Sequence, residues 1–140
     1  MGKAMQTDFQ PGASLRVFIV EDSQPVRERL EQLLASIDGI QCVGSAASAD
    51  TAVSAILKIH PDAVILDIWL AQGTGFDVLR ALKGRIVDSP VYVFSNLATE
   101  PYRRLAAQLG ASAFFDKTTQ IDDMRKVLTE RVEEHKTLLH

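Results

Sequence analysis

Three carboxylates, one hydroxyl and one amine follow four separate apolar runs in this 140-residue chain. Glu21 and Asp22 close LRVFIV, Asp67 closes AVIL, Ser95 closes VYVF, and Lys117 comes directly after AFFD. An acid within a buried strand is costly unless it has a partner. At the carboxyl end of a strand in an open α/β sheet it instead faces the crevice where such sheets bind ligands. Two carboxylates about 4 Å apart repel by roughly 4 kcal/mol at an effective dielectric of 20. Three together call for protons, a lysine or a metal. Hard oxygen donors suit Mg²⁺, which takes one or two carboxylates and fills its shell with water and phosphate oxygens. Lys117 and Ser95 have the chemistry to contact phosphate oxygens. The combination points to phosphoryl transfer onto a carboxylate, where positioning and charge neutralisation do most of the catalysis. A lone Asp or Lys at a strand end is usually solvated, so the weight rests on the joint pattern.

The elements that must position these residues are legible as alternating strands and helices. Short β-branched runs bounded by turn residues read as buried parallel strands at 15–20, 40–44, 63–66, 91–94 and 113–115. Between them lie helical periodicities. The first is capped by Ser23 with Pro25 in its opening turn and extends to about Ile37. The second spans 51–59, after a small-residue loop at 45–50, and stops at His60-Pro61-Asp62. The third spans about 76–82 and the fourth about 100–109 with Thr99 as cap. The fifth runs to about Glu134, with Thr119 and Asp122 spaced like a capping box. Five strands alternating with helices predict a parallel sheet covered on both faces. All the strand ends named above then share one edge.

Length and composition are consistent with one domain. The chain is 46% hydrophobic with a formal charge of −3, which predicts a folded core and no basic surface for nucleic acid. Its single cysteine, Cys42, allows no internal disulfide and is read as a small buried hydrophobe. No apolar run approaches the ~20 residues that span a bilayer, and no signal peptide is evident, so a cytoplasmic protein without membrane insertion is expected.

The segments VFIVEDS, AVILDIWL, VYVFSN and GASAFFDK, in this order, resemble the receiver domain of two-component response regulators. The resemblance covers about Leu15 to Val132. It implies an α/β, flavodoxin-like receiver fold: a five-stranded parallel sheet of order 2-1-3-4-5 flanked by five helices. It divides the chain into a flexible extension (1–14), the receiver (15–134) and a short tail (135–140). It implies that Asp67 is the phosphoacceptor. It implies Mg²⁺ as cofactor, held by Glu21, Asp22, Asp67 and the backbone carbonyl of Trp69. Ser95 and Lys117 would bind the phosphoryl group, and Phe114 would be the switch aromatic. Gly75 matches a family glycine where a special backbone conformation is expected. The implied partners are a sensor histidine kinase or phosphotransfer protein, then a downstream protein or a second copy. These would meet the face of the fourth helix, fifth strand and fifth helix, with Tyr102, Arg103 and Arg104 as candidate contacts.

The chain departs from the family at three places. Ala71 and Thr118 stand where proline is common, and Asn96 stands where a smaller residue is usual, able to crowd the phosphoryl site or bond to it. The resemblance implies that Trp69 and Leu97 occupy positions that tune loss of the phosphoryl group, and two apolar side chains there predict slow hydrolysis. At this length a stand-alone receiver, or one excised from a longer regulator, is expected. Such a receiver is expected to assist its own aspartyl phosphorylation and dephosphorylation only, and not to be otherwise an enzyme. A rival reading is a receiver-like scaffold or dimerisation module that works without phosphorylation. A haloacid-dehalogenase-type phosphohydrolase would need a second Asp two residues after Asp67, where Trp69 stands.

Overall fold

A computed structural model describes residues 14–86 and 88–138. The lead-in expected over 1–14, apart from Ser14, and the last two residues of the expected tail lie outside the described residues. The strands are β1 (Leu15–Val20), β2 (Ile40–Ala46), β3 (Ala63–Leu66), β4 (Val91–Ser95) and β5 (Ala113–Asp116). The helices are α1 (Gln24–Ala35), α2 (Ala49–Ile59), α3 (Gly75–Leu82), α4 (Glu100–Gln108) and α5 (Ile121–Leu138). The sheet is parallel throughout, as the alternation of elements predicts, and its order is β2-β1-β3-β4-β5, as the family resemblance implies.

Strand alternation sorts the core into two layers. Leu15, Val17, Ile19, Ala63, Ile65, Tyr92, Phe94 and Phe115 face Leu30, Leu34, Met124, Leu128 and Val132 of α1 and α5. Phe18, Val20, Val64, Leu66, Val91 and Val93 face Ala52, Ile56, Phe76, Val78, Leu79 and Ala106 of α2, α3 and α4. Residues 63–66 are buried without a break, because β3 lies mid-sheet with helices on both sides. The register Val20↔Leu66 and Ser95↔Asp116 brings the strand ends to one edge.

Several local expectations are corrected. Residues 45–46 are strand, not loop: Ile19 pairs with Ser45 and Val20 with Ala46, after a bulge that passes over Val43. Neighbouring β1 supplies the hydrogen bonds that small residues would not attract by propensity. Helix α2 accordingly starts at Ala49. Cys42 is exposed, not buried, because β2 is an edge strand. Thr99 occupies the cap position of α4 without a side-chain cap bond. Helix α5 begins at Ile121, so Gln120 precedes it and the Thr119 box does not form. Its last turns continue past Glu134 to Leu138, and the mostly buried His135 lies 3.8 Å from Asp62. Among the described residues, no helix is long and apolar enough to cross a membrane.

Candidate functional site

The carboxyl ends of β1 and β3 bring Glu21, Asp22 and Asp67 together, each with a carboxylate oxygen within 4.8 Å of the others. Glu21 and Asp67 are buried, at 1% and 6% exposure, whereas Asp22 faces solvent. Lys117, arriving from beyond β5, places Nζ 2.8 Å from Asp67 Oδ2 and 2.8 Å from Glu21 Oε1. Its contact with Asp67 is a hydrogen bond. The one with Glu21 is an ion pair off hydrogen-bond alignment, so Oε1 is buried with unused acceptor capacity. The other oxygens are held by backbone: the Ile68 amide donates to Asp67 Oδ1 at 2.7 Å and the Ser23 amide to Glu21 Oε2 at 3.1 Å. Arg27 on α1 donates to the Glu21 carbonyl at 3.0 Å, a contact that sequence periodicity does not signal.

Burial pushes the Glu21 carboxyl up, and the Asp67 charge adds to this while Lys117 opposes it. For Lys117, burial works against the charge. The close pairing with the Asp67 and Glu21 carboxylates outweighs it and holds the ammonium above its ordinary value. One ammonium against three carboxylates leaves an excess of negative charge among hard oxygen donors. With Glu21 Oε1 buried beside the Lys117 ammonium and still able to accept, that donor set fits a small divalent cation of the Mg²⁺ type.

Ser95 is buried at 1% exposure. Its Oγ accepts from the Leu97 amide at 3.2 Å, and its carbonyl accepts from the Lys117 amide at 3.2 Å. Asn96 is exposed, and its Oδ1 accepts from the Thr118 hydroxyl at 3.3 Å, across the mouth of the site. Leu97 is half-buried against the α2–α3–α4 layer. Trp69 is 56% exposed. Asn96, Lys117, Thr118 and Arg29 line a half-open cleft of about 330 Å³ between α1 and the β5–α5 turn.

Gly75 is needed for space, not for an unusual φ. A Cβ there would stand 2.4 Å from the Asp67 carbonyl, and the Gly75 amide donates to the Ile68 carbonyl at 2.7 Å. It opens α3 under a capping box of Thr74 and Asp77, a TxxD signal present in the sequence.

The two missing prolines have a structural counterpart. The Ala71 amide donates to the Ala47 carbonyl at 3.0 Å, and the Thr118 amide to Asp116 Oδ1 at 2.8 Å. Proline can make neither bond. No peptide bond among the described residues is cis.

Phe114 is half-buried on the α4 side of the sheet, and Phe115 is buried on the opposite side against Tyr92. Arg103, a candidate partner contact from sequence, is engaged internally: its guanidinium lies 5.1 Å from the Phe114 ring centroid. Tyr102 stacks on Phe76, and Arg104 makes a surface pair with Glu100.

The family model for the response regulator receiver domain matches residues 17–129. The chain belongs to this family. The receiver is similar to protein-glutamate methylesterase/protein-glutamine glutaminase 6 of Anaeromyxobacter dehalogenans, at 36% identity over 72% of this chain and 29% of that protein. It is also similar to the uncharacterized transcriptional regulatory protein YvfU of Bacillus subtilis, at 30% identity over 84% of this chain and 59% of that one. The chain therefore spans less than two thirds of the length of these curated relatives. Among solved structures, the CheX-CheY-BeF3-Mg²⁺ complex of Borrelia burgdorferi contains a chain that aligns with a TM-score of 0.73 and 25% identity. That alignment covers 86% of this receiver and 87% of that chain.

Proposed function

We propose that this receiver is a phosphoacceptor switch that takes a phosphoryl group on Asp67 from a histidine kinase or phosphotransfer protein. The observation that carries the reading is the setting of Asp67. It is a nearly buried carboxylate with one oxygen on the Ile68 amide and the other on Lys117 Nζ, flanked by Glu21 and Asp22. A carboxylate oxygen of Asp67 attacks phosphorus. The new O–P bond forms as the bond from phosphorus to the donor's imidazole nitrogen breaks, and the imidazole leaves with the electron pair and is protonated by solvent. Mg²⁺, held by Glu21, Asp22, Asp67 and the Trp69 carbonyl, would supply charge neutralisation to the phosphoryl oxygens. Lys117 turns from pairing with two carboxylates to pairing with the incoming group. Ser95 exchanges its bond from the Leu97 amide for one to a phosphoryl oxygen, and Phe114 turns inward behind it. The face of α4, β5 and α5 changes as a result and binds the next partner. The magnesium and BeF3 of the Borrelia complex support this reading by analogy. The methylesterase activity named for the Anaeromyxobacter protein belongs to that longer protein.

Incubation with acetyl phosphate and Mg²⁺, read by intact mass, tests the proposal. One added phosphoryl group is expected, dependent on Mg²⁺ and absent from Asp67→Asn. No gain, from acetyl phosphate or from a phosphorylated histidine donor, would favour a scaffold that works without phosphorylation.

A further inference from the structure

The guanidinium of Arg103 is a half-buried cation whose hydrogen bonds all go to neutral oxygens. Nε donates to the Ala98 carbonyl at 2.9 Å, one terminal nitrogen to the Phe114 carbonyl at 3.0 Å and the other to Gln120 Oε1 at 2.8 Å. It also lies over the Phe114 ring. A cation placed only for solubility would point to water, and one placed for charge pairing would meet a carboxylate. Arg103 instead uses its planar fork to tie the loop that precedes its own helix to β5 and to the turn that follows β5. These three segments are the turn after Ser95, the strand that carries Phe114, and the turn that carries Lys117.

Gln120 completes the link. Its Oε1 accepts from the Asp116 amide at 2.9 Å as well as from Arg103, and its Nε2 donates to Asp123 Oδ2 at 3.2 Å. The Gln120 amide donates to the Asp116 carbonyl at 2.9 Å. Lys117 lies inside this loop. With Thr118 in place of proline, the turn lacks the stiffness of a fixed ring, and side-chain bonds hold it instead.

We propose that Arg103, acting through Gln120, is a positioning residue for phosphoryl uptake, a role that rests on the switch reading above. It holds the β5–α5 turn so that Lys117 Nζ reaches Asp67. It also ties that turn to the Ser95 loop and to Phe114, so the three phosphate-responsive residues keep one geometry.

The test compares initial rates of uptake from acetyl phosphate for wild type, Arg103→Ala, Arg103→Lys, Gln120→Ala and the Arg103→Ala/Gln120→Ala double variant. Each single variant should be about tenfold slower, since small displacements of a positioned group cost rate steeply. The double variant should be no slower than the slower single one. Lysine should not rescue, because it has no fork. Mg²⁺ affinity, read from Trp69 fluorescence, should not fall, because the carboxylates stand at the ends of β1 and β3 and a displaced Lys117 ammonium only takes competing positive charge away from them. Hydrogen exchange at the Asp116 amide should quicken in every variant. A wild-type rate in Arg103→Ala, full rescue by lysine, or Mg²⁺ affinity falling in step with rate would overturn the proposal. Unchanged Asp116 exchange would overturn the clamp itself. Failure of the wild type to accept phosphate would instead remove the switch reading, while the exchange measurement still decides the clamp.

Discussion

Lys117 is the residue on which the electrostatics of the site turn. It pairs with the two buried carboxylates of the cluster, Glu21 and Asp67, and so offsets the cost of burying their charge. Its partners raise its proton affinity in the folded state, so the sign of the pH dependence follows. A base whose folded-state value exceeds its unfolded value stabilises the fold fully below the unfolded value of 10.5 and loses that contribution as pH rises through the folded one. Lys117→Met should therefore be less stable than wild type at pH 8, and the gap should narrow above pH 10.5. Urea unfolding across that window measures it. A gap that stays constant with pH would mean the ammonium is not what stabilises the cluster. Glu21 carries the opposite tendency, its burial favouring the protonated form, and a bound divalent cation would relieve that cost. At this scale the types of Asp67, Glu21 and Lys117 were legible because each interrupts or follows an apolar run. The inward bonding of Arg103 was not, because a cation on a helix looks the same in sequence whether it is solvated or bonded.

The elements show how the loops around the site are held without the family's prolines. The Trp69↔Thr74 bridge, the Ala49 amide on the Gln72 carbonyl and the Ala71 amide on the Ala47 carbonyl pin the β3–α3 loop to the start of α2. Restoring proline at position 71 should thus destabilise the protein, although it lowers chain entropy in the unfolded state. Ala71→Pro removes one backbone hydrogen bond and should cost about 1 kcal/mol in denaturant unfolding. Equal or greater stability would show that the Ala71 bond contributes nothing. Element types were legible from period and punctuation, while ends were less so. Sequence reading stopped β2 short at Gly44 because Ser45 and Ala46 have weak strand preference. Pairing with β1 overrides that preference. It placed a capping box at Thr119, where Gln120 instead turns its side chain back to Asp116 and Arg103.

For the molecule as a whole, the sheet edge acts as a charge collector that a cation should stabilise. Mg²⁺ held by Glu21, Asp22 and Asp67 would bind only when β1 and β3 are assembled, so it should raise the melting temperature. A concentration a hundredfold above its dissociation constant is worth about 2.7 kcal/mol. Asp22→Asn should abolish most of the rise while leaving the metal-free protein close to wild type, since Asp22 is exposed. Thermal denaturation with and without Mg²⁺ checks both, and an equal rise in the variant would place the ion elsewhere. The sequence alone determined the alternation of five strands and five helices, the residues that end each strand, and hence the chemistry available at one edge. It could do so because burial imposes periodicity and turns demand particular residues. Only the tertiary structure decided how that edge is held. It showed that Cys42 is exposed on an edge strand, that Gly75 is required for space beside Asp67, and that Arg103 faces inward. These depend on which chain segments meet across the fold, and distances between segments far apart in sequence leave no local signal.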